Sequence, residues 1–164
     1  MHDFLIDAVR CSDVNFVVDA RAQHTLLAER CLRDLQNLSA DMCKIRDTSI
    51  PNHEVKDLSD RIAKNVPGHV RYACRHWASH LSSGVIQNST LDFLHRFCSC
   101  QLLNWLEVMS LLGDLGGAIT ALQLARKAVK VRFPTFCTRP VNKRTTMLAG
   151  YRAWGLSSRK LIAF

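Results

Sequence analysis

Val70-Arg-Tyr-Ala-Cys-Arg-His-Trp-Ala-Ser-His-Leu81 is the stretch that decides the fold. Val70, Ala73, Cys74, Trp77, Ala78 and Leu81 recur at i, i+3 and i+4, the spacing that gathers one apolar stripe on a helix. Arg71, Arg75 and Ser79 fall off that stripe. A second stretch, Leu102-Leu-Asn-Trp-Leu-Glu-Val-Met-Ser-Leu-Leu-Gly113, repeats the pattern with Leu102, Trp105, Leu106, Met109 and Leu112. It stops at Gly113, a residue that tolerates left-handed backbone just past a helix end. One tryptophan on each stripe makes this pair the natural centre of a helical domain, because an indole removes more surface from water than any aliphatic side chain.

Working towards the N-terminus, Asn52 to about Val66 reads as an amphipathic helix carrying Val55, Leu58 and Ile62, with Asn52 as its cap. Pro67-Gly68 separates it from the central helix, with Pro67 suited to that helix's first turn. Residues 20–38 read as a helix burying Leu27, Cys31, Leu35 and Leu38, capped by Asp19. Before it, Phe4-Leu-Ile6 and Asn15-Phe-Val-Val18 look extended, although one or two strands without a sheet are marginal in water. Towards the C-terminus, Ser89 or Thr90 opens a helix carrying Leu91, Leu94, Phe97 and Cys98, with a bend expected near Cys98-Ser-Cys100. Gly113 to Gly117 has the length of a turn between antiparallel helices. Ile119, Leu122 and Ala125 then begin a last helix that runs to about Val131. The expected fold is all-α, an irregular bundle or array of four to six antiparallel helices over residues 19–131. An extended edge at 1–18 precedes it and a poorly ordered basic tail at 132–164 follows.

The net charge of +8 over 164 residues is concentrated in that tail. The last acid is Asp114, whereas ten lysines and arginines lie from Arg126 onward. Lys127, Lys130, Arg132, Lys143, Arg144, Arg159 and Lys160 are therefore the candidate contacts to a polyanion, nucleic acid or an anionic membrane surface. Phe133, Phe136, Tyr151 and Trp154 add stacking groups between them. A solvated, functionless extension accounts for the same composition. The apolar runs are too short to span a bilayer, and the N-terminus lacks the pattern of a secretory leader, so a cytoplasmic protein is expected. Seven scattered cysteines, an odd number, read as reduced core thiols.

Motifs that carry chemistry are sparse. Cys74, His76 and His80, with Cys98 and Cys100, form the one cluster resembling metal ligands, and His76 and His80 at i, i+4 share a helix face. Cys74 belongs to the apolar stripe and His76 does not, so a core thiol beside surface histidines describes them better, and no metal is expected. A Cys–His nucleophile lacks a third orienting group. Gly113 to Gly117 lacks the lysine and spacing of a phosphate-binding loop, so nucleotide hydrolysis by this segment is not expected.

Gln23-His-Thr-Leu-Leu-Ala-Glu-Arg-Cys-Leu32, Val66-Pro-Gly68, Tyr72-Ala-Cys-Arg-His-Trp-Ala-Ser-His-Leu81, Phe93-Leu94 and Leu103-Asn-Trp-Leu-Glu-Val-Met-Ser-Leu-Leu-Gly113 follow in an order that resembles a known region. It is the helical region after the NACHT nucleotide-binding module in fungal NLR-like STAND NTPases. Asp3-Phe-Leu-Ile-Asp7 with Phe16-Val-Val-Asp19 is similar to the closing edge of their winged-helix subdomain. The resemblance covers about residues 2–129 and implies a cytosolic signalling protein in which another module binds ATP or GTP. It implies a non-catalytic scaffold or arm here, with neighbouring NTPase and sensor domains as partners and no cofactor in this segment. The phosphate-binding loop, the magnesium-binding acids and a sensor repeat are missing, so the chain reads as a truncated piece. On that reading the working residues are structural: Leu27, Cys31, Leu35, Val55, Leu58, Ile62, Val70, Cys74, Trp77, Leu81, Leu102, Trp105, Leu106, Met109, Ile119 and Leu122.

Overall fold

The computed structural model describes residues 17–47 and 49–132, and these are mostly helical with no strand among them. Helix α1 is Ala20–Leu35; after a long irregular connection and a 3-10 turn at Asn52–Glu54 come α2, Leu58–Asn65, and α3, Gly68–Ser83. Helix α4, Asn88–Arg96, runs through a π-helical turn at Phe97–Gln101 into α5, Leu102–Leu111, and α6 is Leu115–Arg132. The extended edge expected before residue 17 and the tail expected after residue 132 lie outside the described residues.

Local chemistry explains most of these boundaries. The Asp19 carboxylate accepts from the backbone N–H groups of Arg21 and Ala22 at 2.9 and 3.2 Å, satisfying two donors that a helix start leaves free. At the end of α5 the Asp114 N–H donates to the Met109 carbonyl and the Gly113 N–H to the Ser110 carbonyl. With Gly113 at φ +69°, this is a Schellman closure. Asp114 then caps α6 by accepting from the Gly117 N–H at 3.0 Å, so two adjacent residues end one helix and start the next.

The helix expected over 52–66 is interrupted. Asp57 is left-handed at φ 56°, and Asn52 is no helix cap, because its side-chain amide donates to the Ser110 carbonyl at 2.9 Å. Val55, Leu58 and Ile62 are consequently only half-buried, while Val66 is fully enclosed.

The core lies where α1, α3 and the α4–α5 rod meet. Helices α1 and α3 run antiparallel: His24, early in α1, meets His80, late in α3, while Asp34 lies in the same hollow as His69 at α3's start. Trp77, Phe97 and Trp105 are completely buried. Their ring centroids are 5.0 Å (Trp77–Phe97), 5.6 Å (Phe97–Trp105) and 5.9 Å (Trp77–Trp105) apart, and the tryptophans meet edge to face. That arrangement places the positive edge of one π-system against the negative face of the next. The Trp105 indole donates to the Cys74 carbonyl at 3.0 Å. The Trp77 Nε1–H has no acceptor among the described residues.

The π turn makes this trio possible. Phe97 and Trp105 are eight residues apart, which on an unbroken α-helix separates them by roughly 80°. A π turn absorbs one extra residue and brings them back to one face. The bend expected near Cys98–Cys100 is thus a register shift, which leaves Cys98, Ser99 and Cys100 exposed rather than in the core.

Val70, Cys74, Trp77, Leu81, Trp105 and Met109 are buried, as are Cys31 and Leu35. Two residues expected among them face solvent: Leu27 is 40 % and Ile119 60 % exposed. In α1 the inner line is Ala28, Leu32 and Leu35. In α6 it is Ala118, Ala121 and Ala125, so of the expected Ile119, Leu122 and Ala125 line Ala125 is buried while Ile119 is not. Packing on alanines lets two backbones approach closely, and the larger side chains then turn outward. Leu102, Leu106 and Leu122 are half-buried on the flanks.

Candidate functional site

Helix α3 separates the residues that looked like one cluster in the sequence. Cys74 is fully buried beside the aromatic trio, and burial pushes its thiol up to about 12. Cys31 is likewise pushed up by burial, to about 11. A thiol held protonated at neutral pH is neither a nucleophile nor a ready metal ligand. His76 and His80 lie on the far side of α3, away from Cys74, and Cys98 and Cys100 belong to the π turn. Among the described residues no three His, Cys, Asp or Glu side chains are placed to hold a metal ion.

What the structure does bring together was not legible in the sequence. His80 makes two side-chain contacts at once: its Nδ1 lies 2.9 Å from Nδ1 of His24 on α1, and its Nε2 lies 2.7 Å from the Tyr72 hydroxyl. Tyr72 also packs against His76 with centroids 4.6 Å apart and the rings tilted by 42°. The i, i+4, i+8 spacing of Tyr72, His76 and His80 along one face of α3 was available as a signal, but nothing in the sequence names His24 as the partner. The His80 proton affinity is held below its ordinary value of 6.5, first by burial and then by the neighbouring charges of His24 and His76. The result is a hydrogen-bonded chain from tyrosine through imidazole to imidazole across the α1–α3 seam.

The same seam is locked at its end by two threonines. The buried Thr25 hydroxyl donates to the Arg21 carbonyl at 2.9 Å and accepts from the Val85 N–H at 2.8 Å. Thr90, fully buried, donates to the Glu29 carboxylate at 3.0 Å while the Gln87 N–H reaches its oxygen at 3.4 Å. Ser89 donates to that same carboxylate at 2.6 Å. Both ends of the α3–α4 connection are therefore pinned to α1.

Beside this seam is a groove of about 730 Å³ lined by Leu81, Val85, Leu124 and Val131 with Arg21 and Lys127 at its sides. Of the candidate polyanion contacts, Lys127 and Lys130 are exposed on α6. Arg132 ends α6, and Lys143, Arg144, Arg159 and Lys160 lie outside the described residues. No described helix is long and apolar enough to cross a membrane. Comparison with protein-family models, with curated proteins and with solved structures finds no match for this chain.

Proposed function

We propose that the chain is a non-catalytic helical scaffold, an arm that in a NACHT-type signalling protein would join an NTPase region to a sensor region. The observation that supports this reading is the rigid aromatic block at its centre. Trp77 on α3 packs against Phe97 and Trp105 on the α4–α5 rod, which ties those elements together through one buried aromatic cluster. A packed block of this kind moves between discrete arrangements rather than deforming continuously. The likeness of Tyr72–Leu81 and Leu103–Gly113 to the helical arm of fungal NLR-like STAND NTPases supplies the architecture, with cytosolic protein domains as partners.

The reading is tested by fusing a NACHT module ahead of the chain and placing a donor dye on that module and an acceptor on exposed Cys100. Energy transfer that differs between ATP and ADP is the expected result. Equal transfer in both nucleotides, or nucleotide turnover by the purified chain alone, would overturn it.

The segregation of ten bases after residue 125 favours a second reading, polyanion binding through residues 126–164. On that reading, deleting residues 133–164 abolishes salt-sensitive heparin binding. The arm reading predicts little change.

A further inference from the structure

The Nδ1–Nδ1 contact between His24 and His80 has a restriction built into it. A gap of 2.9 Å between two nitrogens holds one proton, donated by one ring and accepted by the lone pair of the other. When both imidazoles are neutral the bond forms, with the Tyr72 hydroxyl donating to or accepting from Nε2 according to the His80 tautomer. With one imidazolium it still forms, because the charged ring donates from Nδ1 and the neutral ring accepts. With two, an N–H faces an N–H, the bond is lost, and two like charges stand at contact distance in a partly buried seam.

We propose that His24, His80 and Tyr72 form a proton-operated latch between α1 and α3, closed while at most one of the two imidazoles is charged and opened when both are. Its surroundings favour that behaviour. His24 and His76 are the charges acting on His80, and both disfavour a further proton. Among the described residues no carboxylate hydrogen-bonds or pairs with any of these three imidazoles to offset the repulsion. On α1, Arg21 lies one turn before His24 and adds positive charge. Asp114, the cap of α6, is engaged by Arg75, with 3.5 Å between Arg75 Nε and an Asp114 oxygen, and Lys127 on α6 lies in the neighbouring groove. The Thr25–Val85 bond next along the seam is the contact that an opened latch would expose. The latch is independent of the arm reading, since it concerns the helix pair itself.

The sign follows from linkage. A group whose folded-state proton affinity is depressed contributes stability that is complete above its unfolded value of about 6.5 and is lost as pH falls through the folded value. The experiment is urea unfolding of the full chain at pH 7.5 and pH 5.0, for the native sequence, His24→Gln and His80→Gln. Glutamine keeps a hydrogen-bonding amide and carries no charge at either pH. The native midpoint should fall at pH 5.0, and each variant should retain less than half of that fall. A native midpoint that does not fall, or variants that retain half or more of it, would overturn the latch. Should a variant not fold, proton NMR of the native chain decides: the lower of the two ring titrations of His24 and His80 must lie below about 6.5, and both titrating at or above that value overturns the proposal.

Discussion

At the scale of single residues, the two tryptophans do different work despite equal burial. Trp105 satisfies its indole N–H on the Cys74 carbonyl, whereas Trp77 leaves its own without an acceptor among the described residues. A buried unpaired donor costs about 1–3 kcal/mol, so Trp77 stabilises by packing against two rings and gives part of that back. Trp105→Ala removes both packing and the bond and should lower the unfolding free energy by about 3–5 kcal/mol, read from urea denaturation. Unchanged stability in that variant would show that the aromatic trio is not the core. Gly84 is a second residue whose identity matters. A Cβ built there would lie 2.8 Å from the Thr25 backbone nitrogen and 2.9 Å from its hydroxyl oxygen, and backbone cannot move aside as a flexible side chain can. Gly84→Ala should cost about 1–3 kcal/mol of strain. Gly116→Ala, with nothing within 4 Å, should lower stability little or raise it, and the pair of melting temperatures separates crowding from helix propensity.

Among elements, the decisive feature is the π turn between α4 and α5. Read as one continuous helix, residues 88–111 put Phe97 and Trp105 on different faces, and the trio with Trp77 does not form. The extra residue in Phe97–Gln101 restores the alignment and turns Cys98, Ser99 and Cys100 outward. Deleting Ser99 should convert the turn to regular α-helix and leave Phe97 and Trp105 about seven residues apart, within about 20° of one face. The expected outcome is that the near-ultraviolet circular dichroism of the packed indoles persists, whereas deleting Ser99 and Cys100 together should rotate α5 by about 100° and abolish it while far-ultraviolet helicity remains. The sequence shows a bend here because Cys98-Ser-Cys100 interrupts the apolar rows. It does not show which kind, since a kink and a register shift break the same period.

For the molecule as a whole, the long connection between α1 and α2 is held down by polar groups spaced every third residue along the rod. Gln101 donates to the Gln36 carbonyl at 3.0 Å and Asn104 to the Leu38 carbonyl at 3.4 Å; Glu107 accepts from the Asp41 N–H at 2.9 Å. Further on, Asn52 donates to the Ser110 carbonyl, and Arg61 on α2 reaches the Lys44 carbonyl at 2.8 Å. Asp41, Lys44 and Arg46 all have positive φ, between 50° and 65°, so three residues of this strap take a left-handed backbone that side-chain-bearing residues seldom adopt. An Asn104→Ala, Glu107→Ala double variant should speed amide exchange across residues 36–47 about tenfold or more while Cys74 to Leu81 stay protected, as hydrogen-exchange mass spectrometry would show. Equal acceleration in both regions would mean the strap and the core are one cooperative unit.

The amino-acid sequence by itself determined the helices other than the one over 52–66, the two tryptophan stripes, the Asp19 cap and the Gly113 stop, because each follows from interactions within about a turn of chain. It also placed the charge asymmetry, which is a matter of counting. Only the tertiary structure decided which edge of each stripe faces inward, so that Ala118 and Ala121 displaced Ile119 from the core, and Ala28 and Leu32 displaced Leu27. The contact of His24 with His80 belongs to the same class: two imidazoles 56 positions apart meet because α1 and α3 pack antiparallel at one particular offset. Periodicity tells a helix that it has an apolar side, and the side chains of its neighbours settle how that side is turned.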